Sequence, residues 1–214
     1  RLCAGSCLKF AAIMMFAVAS MSAAAQSGYR DLSYGTLTTA PTGQKPESKV
    51  WFNDGIWWAS MLNTSLQGYD IYRLDAATQT WSDTGTPIDD RASTAADTMW
   101  DQTSGKLYIV SNIHVNSASH NNSSANWGRL YRYTYNSGSK SYSLDSGYPV
   151  TVTTGKEETL TLAKDSTGTL WVTYVEASKV MVNHSNGSDT NWGTPFVLPA
   201  STTAVSVTSD DIAT

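Results

Sequence analysis

Three basic residues recur at nearly the same distance ahead of three acidic turns. Each stands nine or ten residues before the aspartate of its turn, the pairs being Lys45 with Asp54, Arg91 with Asp101, and Lys156 with Asp165. Two of the basic residues are followed two places later by a glutamate, Glu47 and Glu158, whereas the second copy has Ser93 there. Cations interleaved with carboxylates can bind an anionic or polyhydroxylated ligand through charge-assisted hydrogen bonds. The same groups can instead form salt bridges that fix the register of neighbouring repeats, so both interpretations stay open.

Other residue patterns that carry chemistry give weak signals or none. His114 and His120 stand in a Ser/Asn-rich stretch with no neighbouring carboxylate, and His184 has no implied partner. The sequence contains no G-x-S-x-G or H-E-x-x-H motif and no glycine-rich phosphate loop. Adjacent carboxylates such as Glu157 and Glu158 point to opposite faces of a strand, so adjacency alone does not make a catalytic pair. We therefore expect no metal site, no cofactor and no evident catalytic centre.

The acidic turns belong to an internal repeat. Each turn contains an aspartate and a glycine and leads into an aromatic-bearing run, and these runs are IWWASML, KLYIVSN and TLWVTYV. Each unit divides into four short runs of alternating or β-forming residues separated by turn residues, and no helical period appears after residue 26. Four antiparallel strands in a unit of about 45 to 50 residues are typical of a β-propeller blade. The predicted fold is therefore an all-β propeller of four-stranded antiparallel blades.

About three blades and the first strand of a fourth are predicted. The organisation is an export signal at 1–25, a linker at 26–44, blades at about 45–90, 91–152 and 153–200, and the start of the next at 203–214. Propellers close with about four to eight blades, so we expect the chain to be a fragment that continues past Thr214. An all-β sandwich is the alternative, which explains the strands but not the repeat.

Each acidic turn is predicted to be the hairpin between the first and second strands of a blade. Glycine supplies the positive φ that such a turn needs, and the aspartate can accept hydrogen bonds from nearby backbone N–H groups. On the second strands, Trp57, Tyr108 and Trp171 are predicted to fill the space between blades. The basic residues then stand where the innermost strands begin, around one mouth of the central channel.

The first 25 residues are predicted to be an export signal. Arg1 and Lys9 accompany the apolar run Phe10–Met21, and small residues precede a cleavage site after Ala25. The run has 12 residues, whereas a membrane-spanning helix needs about 20. We therefore predict a secreted or periplasmic protein with no membrane span after cleavage.

Composition narrows the partners of the mature chain. Both cysteines, Cys3 and Cys7, lie inside the signal, so no disulfide or thiolate metal site is expected after it. Removal of the signal takes the formal net charge from −4 to −6, because only two positive charges are lost. An acidic exported domain is a poor partner for nucleic acid or anionic lipid.

At KPESKVWFNDGIWW, DSTGTLWVTYV and TWSDTGTP the chain resembles secreted bacterial propellers of the sialidase-like, Asp-box (BNR) type. The family's Asp-box reads S-x-D-x-G-x-T-W. Here the Thr80-Trp81 end fits, but Asp75 lies six residues before the tryptophan rather than five, and no glycine stands between them. The resemblance implies a propeller fold and, in sialidases, three arginines on the substrate carboxylate, a Tyr–Glu pair and an acid aspartate. Only Arg91 stands where such an arginine would, since Arg73 and Arg132 are predicted on third strands.

The predicted function is that of an exported propeller module that binds an extracellular glycan or protein partner at its channel mouth. The candidate ligand-binding residues are Lys45, Glu47, Arg91, Lys156 and Glu158. Two alternatives remain: a sialidase-like glycoside hydrolase with part of its active site in missing blades, and a purely structural domain of a larger surface protein.

Overall fold

The chain is all-β wherever its structure is described. A computed structural model describes residues 47–66, 68–91, 94–113, 123–155, 157–177 and 179–199. These residues form three antiparallel sheets, and none of them belongs to a helix that is long and apolar enough to cross a membrane. The predicted all-β class is confirmed. The predicted signal, linker and final strand lie outside the described residues.

The first sheet is a four-stranded meander. Its strands are β1 (Val50–Asn53), β2 (Ile56–Asn63), β3 (Gly68–Asp75) and β4 (Thr80–Asp89), paired in chain order. Asn53 pairs with Ile56, so Asp54 and Gly55 alone form the turn, with φ of 53° and 74°. Positive φ at both central residues is the geometry that two-residue hairpins prefer.

The second sheet repeats this order. Its strands are β5 (Thr94–Asp101), β6 (Lys106–Ile113), β7 (Arg129–Asn136) and β8 (Ser141–Leu144). A short fifth strand, β9 (Val150–Thr151), pairs with the start of β7. Asp101 ends β5, and Gly105, with φ of 65°, leads into β6.

The third sheet is again a meander in chain order. Its strands are β10 (Leu160–Lys164), β11 (Leu170–Glu176), β12 (Lys179–His184) and β13 (Phe196–Val197). Its first hairpin contains Asp165 and Gly168, the latter with φ of 92°. All three acidic turns therefore join a first strand to a second strand, as predicted from their glycines.

Two apolar layers separate the three sheets. Between the first and second sheets Trp58 is fully buried, and its ring meets Tyr135 and Tyr142 edge-on at centroid distances of 5.8 and 5.0 Å. Between the second and third sheets, Val110 packs with Leu160 and Val172. Burial of aromatic and aliphatic side chains of this size is the main force that holds neighbouring sheets together.

The predicted equivalence of the second-strand aromatics is wrong for Trp57. Trp57, Tyr108 and Trp171 do lie on β2, β6 and β11, and Tyr108 is buried between the second and third sheets. Trp57 is 49% exposed on the outer face of the first sheet, where it packs on Phe52 at 5.2 Å. Successive side chains of a strand point to opposite faces, so its neighbour Trp58 takes the place between the sheets. Trp171 packs at a tilt on His184 of its own sheet, with the ring centroids 4.8 Å apart.

Candidate functional site

One carboxylate joins the first strands of all three sheets, β1, β5 and β10, which are called the inner strands below. Asp97, on β5, accepts hydrogen bonds from the backbone N–H of Ser48 at 2.6 Å and of Leu162 at 2.8 Å. Ser48 also accepts a hydrogen bond from the backbone N–H of Thr98 at 3.0 Å. Because Ser48 precedes β1 and Leu162 lies on β10, the three inner strands stand side by side. The residues that come shortly before these strands, 47–49, 89–91 and 157–158, are called the strand-start end below.

Burial dominates the electrostatics of Asp97. The residue is 6% exposed, and removal from water raises the pKa of its carboxyl to about 6. The two backbone hydrogen bonds and the charge of Lys49 oppose this rise, because they favour the ionised form. Asp97 is therefore a structural acceptor that titrates near neutral pH.

All five N–H donors of the Arg91 guanidinium are hydrogen-bonded within the protein. Its Nε and Nη2 donate to the carboxylate of Asp89 at 3.0 and 2.6 Å. Its remaining donors reach backbone oxygens at 2.8 to 3.0 Å, namely those of Ala125, Trp127 and Ser111. A guanidinium has five N–H donors, and each of them has a protein acceptor here. The geometry at Arg91 is thus that of a structural salt bridge rather than of a ligand-binding group. It ties the strand-start end to the loop before β7.

Glu47 is buried and paired with a lysine that the sequence analysis did not select. Its Oε2 accepts a hydrogen bond from Lys49 Nζ at 3.1 Å, and the same ammonium donates to the backbone oxygen of Ala96. Its Oε1 is buried and has no hydrogen-bond partner among the described residues. Burial lowers the pKa of Lys49, and the charge of Glu47 opposes that shift. Lys49 stands two residues after Glu47, on the same face of an extended chain, which is the signal that would have found it.

Of the adjacent glutamates before β10, Glu157 is the one that is fully enclosed. Its Oε1 accepts hydrogen bonds from the Thr153 hydroxyl and from the Gly155 backbone N–H, while its buried Oε2 has no partner in the described part of the chain. Burial raises the pKa of Glu157 to about 7, with a smaller contribution from Glu176. Glu158, the residue selected from sequence, is half-buried, and its backbone N–H bonds to Val175. Lys45 and Lys156 lie outside the described residues.

A second polar network crosses the opposite end of the second and third sheets. Arg132, on β7, donates to Asp145 and to Asp189, both at 2.6 Å. Lys106 Nζ reaches the same carboxylate oxygen of Asp145 at 2.7 Å, and the Tyr108 hydroxyl bonds to Asp189 at 3.2 Å. Arg132 is thus committed to joining two sheets, in agreement with its predicted place on a third strand.

No group of three or more histidine, cysteine, aspartate or glutamate side chains in the described part of the chain is arranged to hold a metal ion. His184 Nδ1 lies 3.0 Å from the backbone oxygen of Ser185, and its ring packs at a tilt against Trp171. His114 and His120 lie outside the described residues.

Comparison with known proteins gives distant structural likenesses only. No family model and no curated protein matches the sequence, so the Asp-box resemblance has no matching family behind it. The similar solved structures include two crystal structures of an exo-β-1,3-galactanase from Phanerochaete chrysosporium with β-1,3-galactotriose. Their TM-scores are 0.47 and 0.45, and each is 10% identical in sequence to this chain. The matches cover 73% and 75% of this chain but only 39% and 40% of those chains. A Bifidobacterium bifidum structure has a TM-score of 0.42 and 9% identity, and the match covers 68% of this chain and 50% of that chain. The chain thus spans half or less of these glycosidase structures, and likenesses at this level carry no argument about function.

Proposed function

We propose that this chain is a glycan-binding module without chemistry of its own, in which the three sheets are successive blades of a β-propeller. Each sheet is a meander in chain order, and neighbouring sheets meet face to face with their first strands adjacent. These are the relationships expected of propeller blades. The glycan is held at the strand-start end, at the mouth of the channel that the inner strands line. The proposal includes export of the protein, on the strength of its first 25 residues.

The observation that carries this proposal is a pair of buried carboxylate oxygens without donors. Glu47 Oε1 and Glu157 Oε2 both lie at the strand-start end and have no hydrogen-bond partner among the described residues. A buried acceptor left unpaired costs about 1–3 kcal/mol, and a hydroxyl group of a bound sugar is the kind of donor that recovers this energy.

The charges of the same region favour a hydroxyl-bearing ligand over an anion. Among described residues the strand-start end holds more carboxylates than cations, and both cations, Lys49 and Arg91, already contact carboxylates. The proposal assigns ligand contacts to the other two basic residues of the candidate set, Lys45 and Lys156, each two residues before a glutamate of that set. In the proposal these lysines donate hydrogen bonds to ring or hydroxyl oxygens of a neutral glycan, because they stand close in sequence to Glu47 and Glu158.

The test separates the two roles proposed for the basic residues. The double variant Lys45→Ala/Lys156→Ala should lose at least 10-fold in affinity for neutral oligosaccharides in calorimetric titrations, with an unchanged melting temperature. Arg91→Ala is the contrasting variant and should lower the melting temperature, because all five guanidinium N–H groups donate within the protein. Unchanged affinity in the double variant would contradict the strand-start site. Failure of the wild-type chain to bind any glycan of a broad array would contradict the module itself and favour a structural domain.

A glycosidase is the second candidate, and Glu157 is the observation in its favour. A carboxyl group with a pKa of about 7 is protonated enough at neutral pH to act as a general acid. Glu157 is fully enclosed, so a sugar reaches it, whether as ligand or as substrate, only when the residues around it move apart. Release of reducing sugar from oligosaccharides that bind, abolished by Glu157→Gln, would establish the enzyme. Binding without release would establish the module.

A further inference from the structure

We propose a second saccharide-binding site in a cleft at the other end of the inner strands, between the first hairpins of the second and third sheets. The cleft has a volume of about 520 Å³. One wall is formed by Trp100, Asp101 and Thr103, and the other by Lys164, Asp165 and Ser166. We call it the hairpin-end cleft. The inference rests on the proposed function, because it extends glycan binding to a separate place on the same molecule.

The two walls are joined by an ion pair rather than left free to separate. Lys164 Nζ donates to Asp101 Oδ2 at 2.5 Å, and its ammonium stands 5.6 Å from the centre of the Tyr108 ring. Asp101 also accepts a hydrogen bond from the backbone N–H of Thr103 at 2.9 Å. A site that is already ordered before binding loses less entropy when the ligand arrives.

The second wall is equally rigid. Asp165 accepts hydrogen bonds from the backbone N–H groups of Thr167 and Thr169 at 2.8 and 3.0 Å, and from the Trp171 indole at 2.8 Å.

The carboxylate of the first wall, Asp101, is ionised. Against the effect of burial, the bonds from Lys164 and Ser104 lower the pKa of Asp101 to about 2. Both carboxylates of the cleft are therefore ionised acceptors across the physiological pH range.

The composition of the lining selects the class of ligand. Ligand pockets of roughly 300–1,000 Å³ combine apolar or aromatic surface with a few oriented polar groups. Here Met99 supplies the apolar surface, while the Trp100 ring packs edge-on against Tyr135 and Tyr142 on the side of the first sheet. The indole of Trp100 is fixed by a hydrogen bond to the Gln102 side chain at 2.9 Å. Two carboxylates against one lysine give the lining a net negative charge, which disfavours an anion. A neutral saccharide, with apolar ring faces and hydroxyl donors, fits both features.

A smaller hollow adjoins the cleft and extends the same chemistry. It has a volume of about 190 Å³ and shares Thr167 and Gly168 with the cleft. Its lining adds Ser185, Ser188 and Asp189, so hydroxyl and carboxylate groups continue past the hairpin. We infer that a linear oligosaccharide, rather than a single sugar, occupies the hairpin-end cleft and this hollow together.

Bulky substitutions that keep every described hydrogen bond test this site. Thr103→Trp and Ser166→Trp each place an indole in the cleft from an exposed turn position. Ser137→Trp, in the exposed hairpin between β7 and β8, is the matched control. The full chain is titrated with cellohexaose, xylohexaose and laminarihexaose, and with hexagalacturonate as the anionic comparison. Melting temperatures confirm that each variant is folded.

The expected result is at least a 10-fold loss of affinity for one neutral hexasaccharide in both cleft variants, with the control unchanged and hexagalacturonate not bound. The stoichiometry should fall from two to one, because the strand-start end is untouched. Cleft variants that bind like wild type, while Lys45→Ala/Lys156→Ala does not, would overturn the hairpin-end cleft and leave the proposed function standing. Failure of the wild-type chain to bind any of the neutral hexasaccharides would overturn the cleft, and a failed glycan array would in addition overturn the function. Binding confined to hexagalacturonate would overturn the assigned ligand class.

Discussion

The carboxylate of Asp97 lies 2.8 Å from the backbone nitrogen of Leu162, so a side chain of the second sheet caps the inner strand of the third. Its other oxygen does the same for the residue before the first sheet, Ser48, at 2.6 Å. A single buried acid thereby sets the positions of three strands that are far apart in the chain. The relationship gives the strand-start end its shape, since all the candidate groups there depend on how these strands align.

Replacement of Asp97 by asparagine should destabilise the fold. Asparagine keeps one acceptor but turns an NH₂ group toward a backbone N–H, so one buried hydrogen bond is lost and a donor is left unpaired. We expect the free energy of unfolding to fall by about 1–3 kcal/mol, measured by urea denaturation. Asp90→Asn is the control, because the Asp90 side chain is 87% exposed. Equal stability of the two variants would show that Asp97 does not hold the strands.

Stability should increase as the pH falls from 8 to 5. The pKa values of Asp97 and Glu157 are raised to about 6 and about 7 in the folded protein. The folded state thus binds these protons more tightly than the unfolded chain, whose carboxyls titrate near 4. The resulting stabilisation is complete below the unfolded pKa and is lost as the pH rises through 6 and 7.

Calorimetric melting temperatures between pH 5 and 8 measure this effect. The carboxylates with lowered pKa values, Asp101 and Asp145 among them, make the protein less stable as the pH falls. They do so only below about pH 4, outside this range. Glu157→Gln should flatten the upper part of the profile. A profile that rises toward pH 8 in the wild-type chain would contradict the burial of these two acids.

Loss of the Arg91 guanidinium should be far more damaging than loss of an exposed arginine. Arg91→Ala leaves the Asp89 carboxylate buried without its partner, which costs about 3–5 kcal/mol. Arg91→Lys should recover only part of this, because an ammonium cannot reproduce the planar fork. Arg73→Ala, at an exposed site on β3, should change stability by less than about 0.5 kcal/mol. Comparable effects at positions 73 and 91 would argue for a free, ligand-facing Arg91.

The neighbours Trp57 and Trp58 should differ sharply. Trp58→Ala empties the contact with Tyr135 and Tyr142 and should cost about 3–5 kcal/mol. Trp57→Ala removes a ring that is 49% exposed and should cost less than about 1 kcal/mol. Chemical denaturation of both variants measures the difference. A larger loss of stability at Trp57 would indicate that the face carrying Trp57, and not the one carrying Trp58, packs against the second sheet.

The sequence predicted what is local and missed what is distant. Strands and acidic hairpins could be read from alternation and glycine placement, because both are decided within a few residues. The face on which Trp57 lies could not, since one residue of difference in a hairpin reverses it. The internal bonds of Arg91 could not be predicted, because its acceptors Ala125 and Trp127 lie more than thirty residues away in sequence.

Contacts between residues distant in sequence also explain why the sequence alone did not point to Asp97 or to the hairpin-end cleft. Asp97 sits in an ordinary strand pattern, and only the approach of Ser48 and Leu162 gives it a role. The hairpin-end cleft needs Asp101 of one repeat and Lys164 of the next, and no periodicity within one repeat predicts their ion pair.

A crystal structure of the chain with a bound neutral hexasaccharide tests the central claim most directly. We expect sugar at the strand-start end, with hydroxyl groups within hydrogen-bond distance of Glu47 or Glu157 and with Lys45 or Lys156 in contact. Sugar absent from that end, in crystals grown at saturating hexasaccharide, would contradict the account.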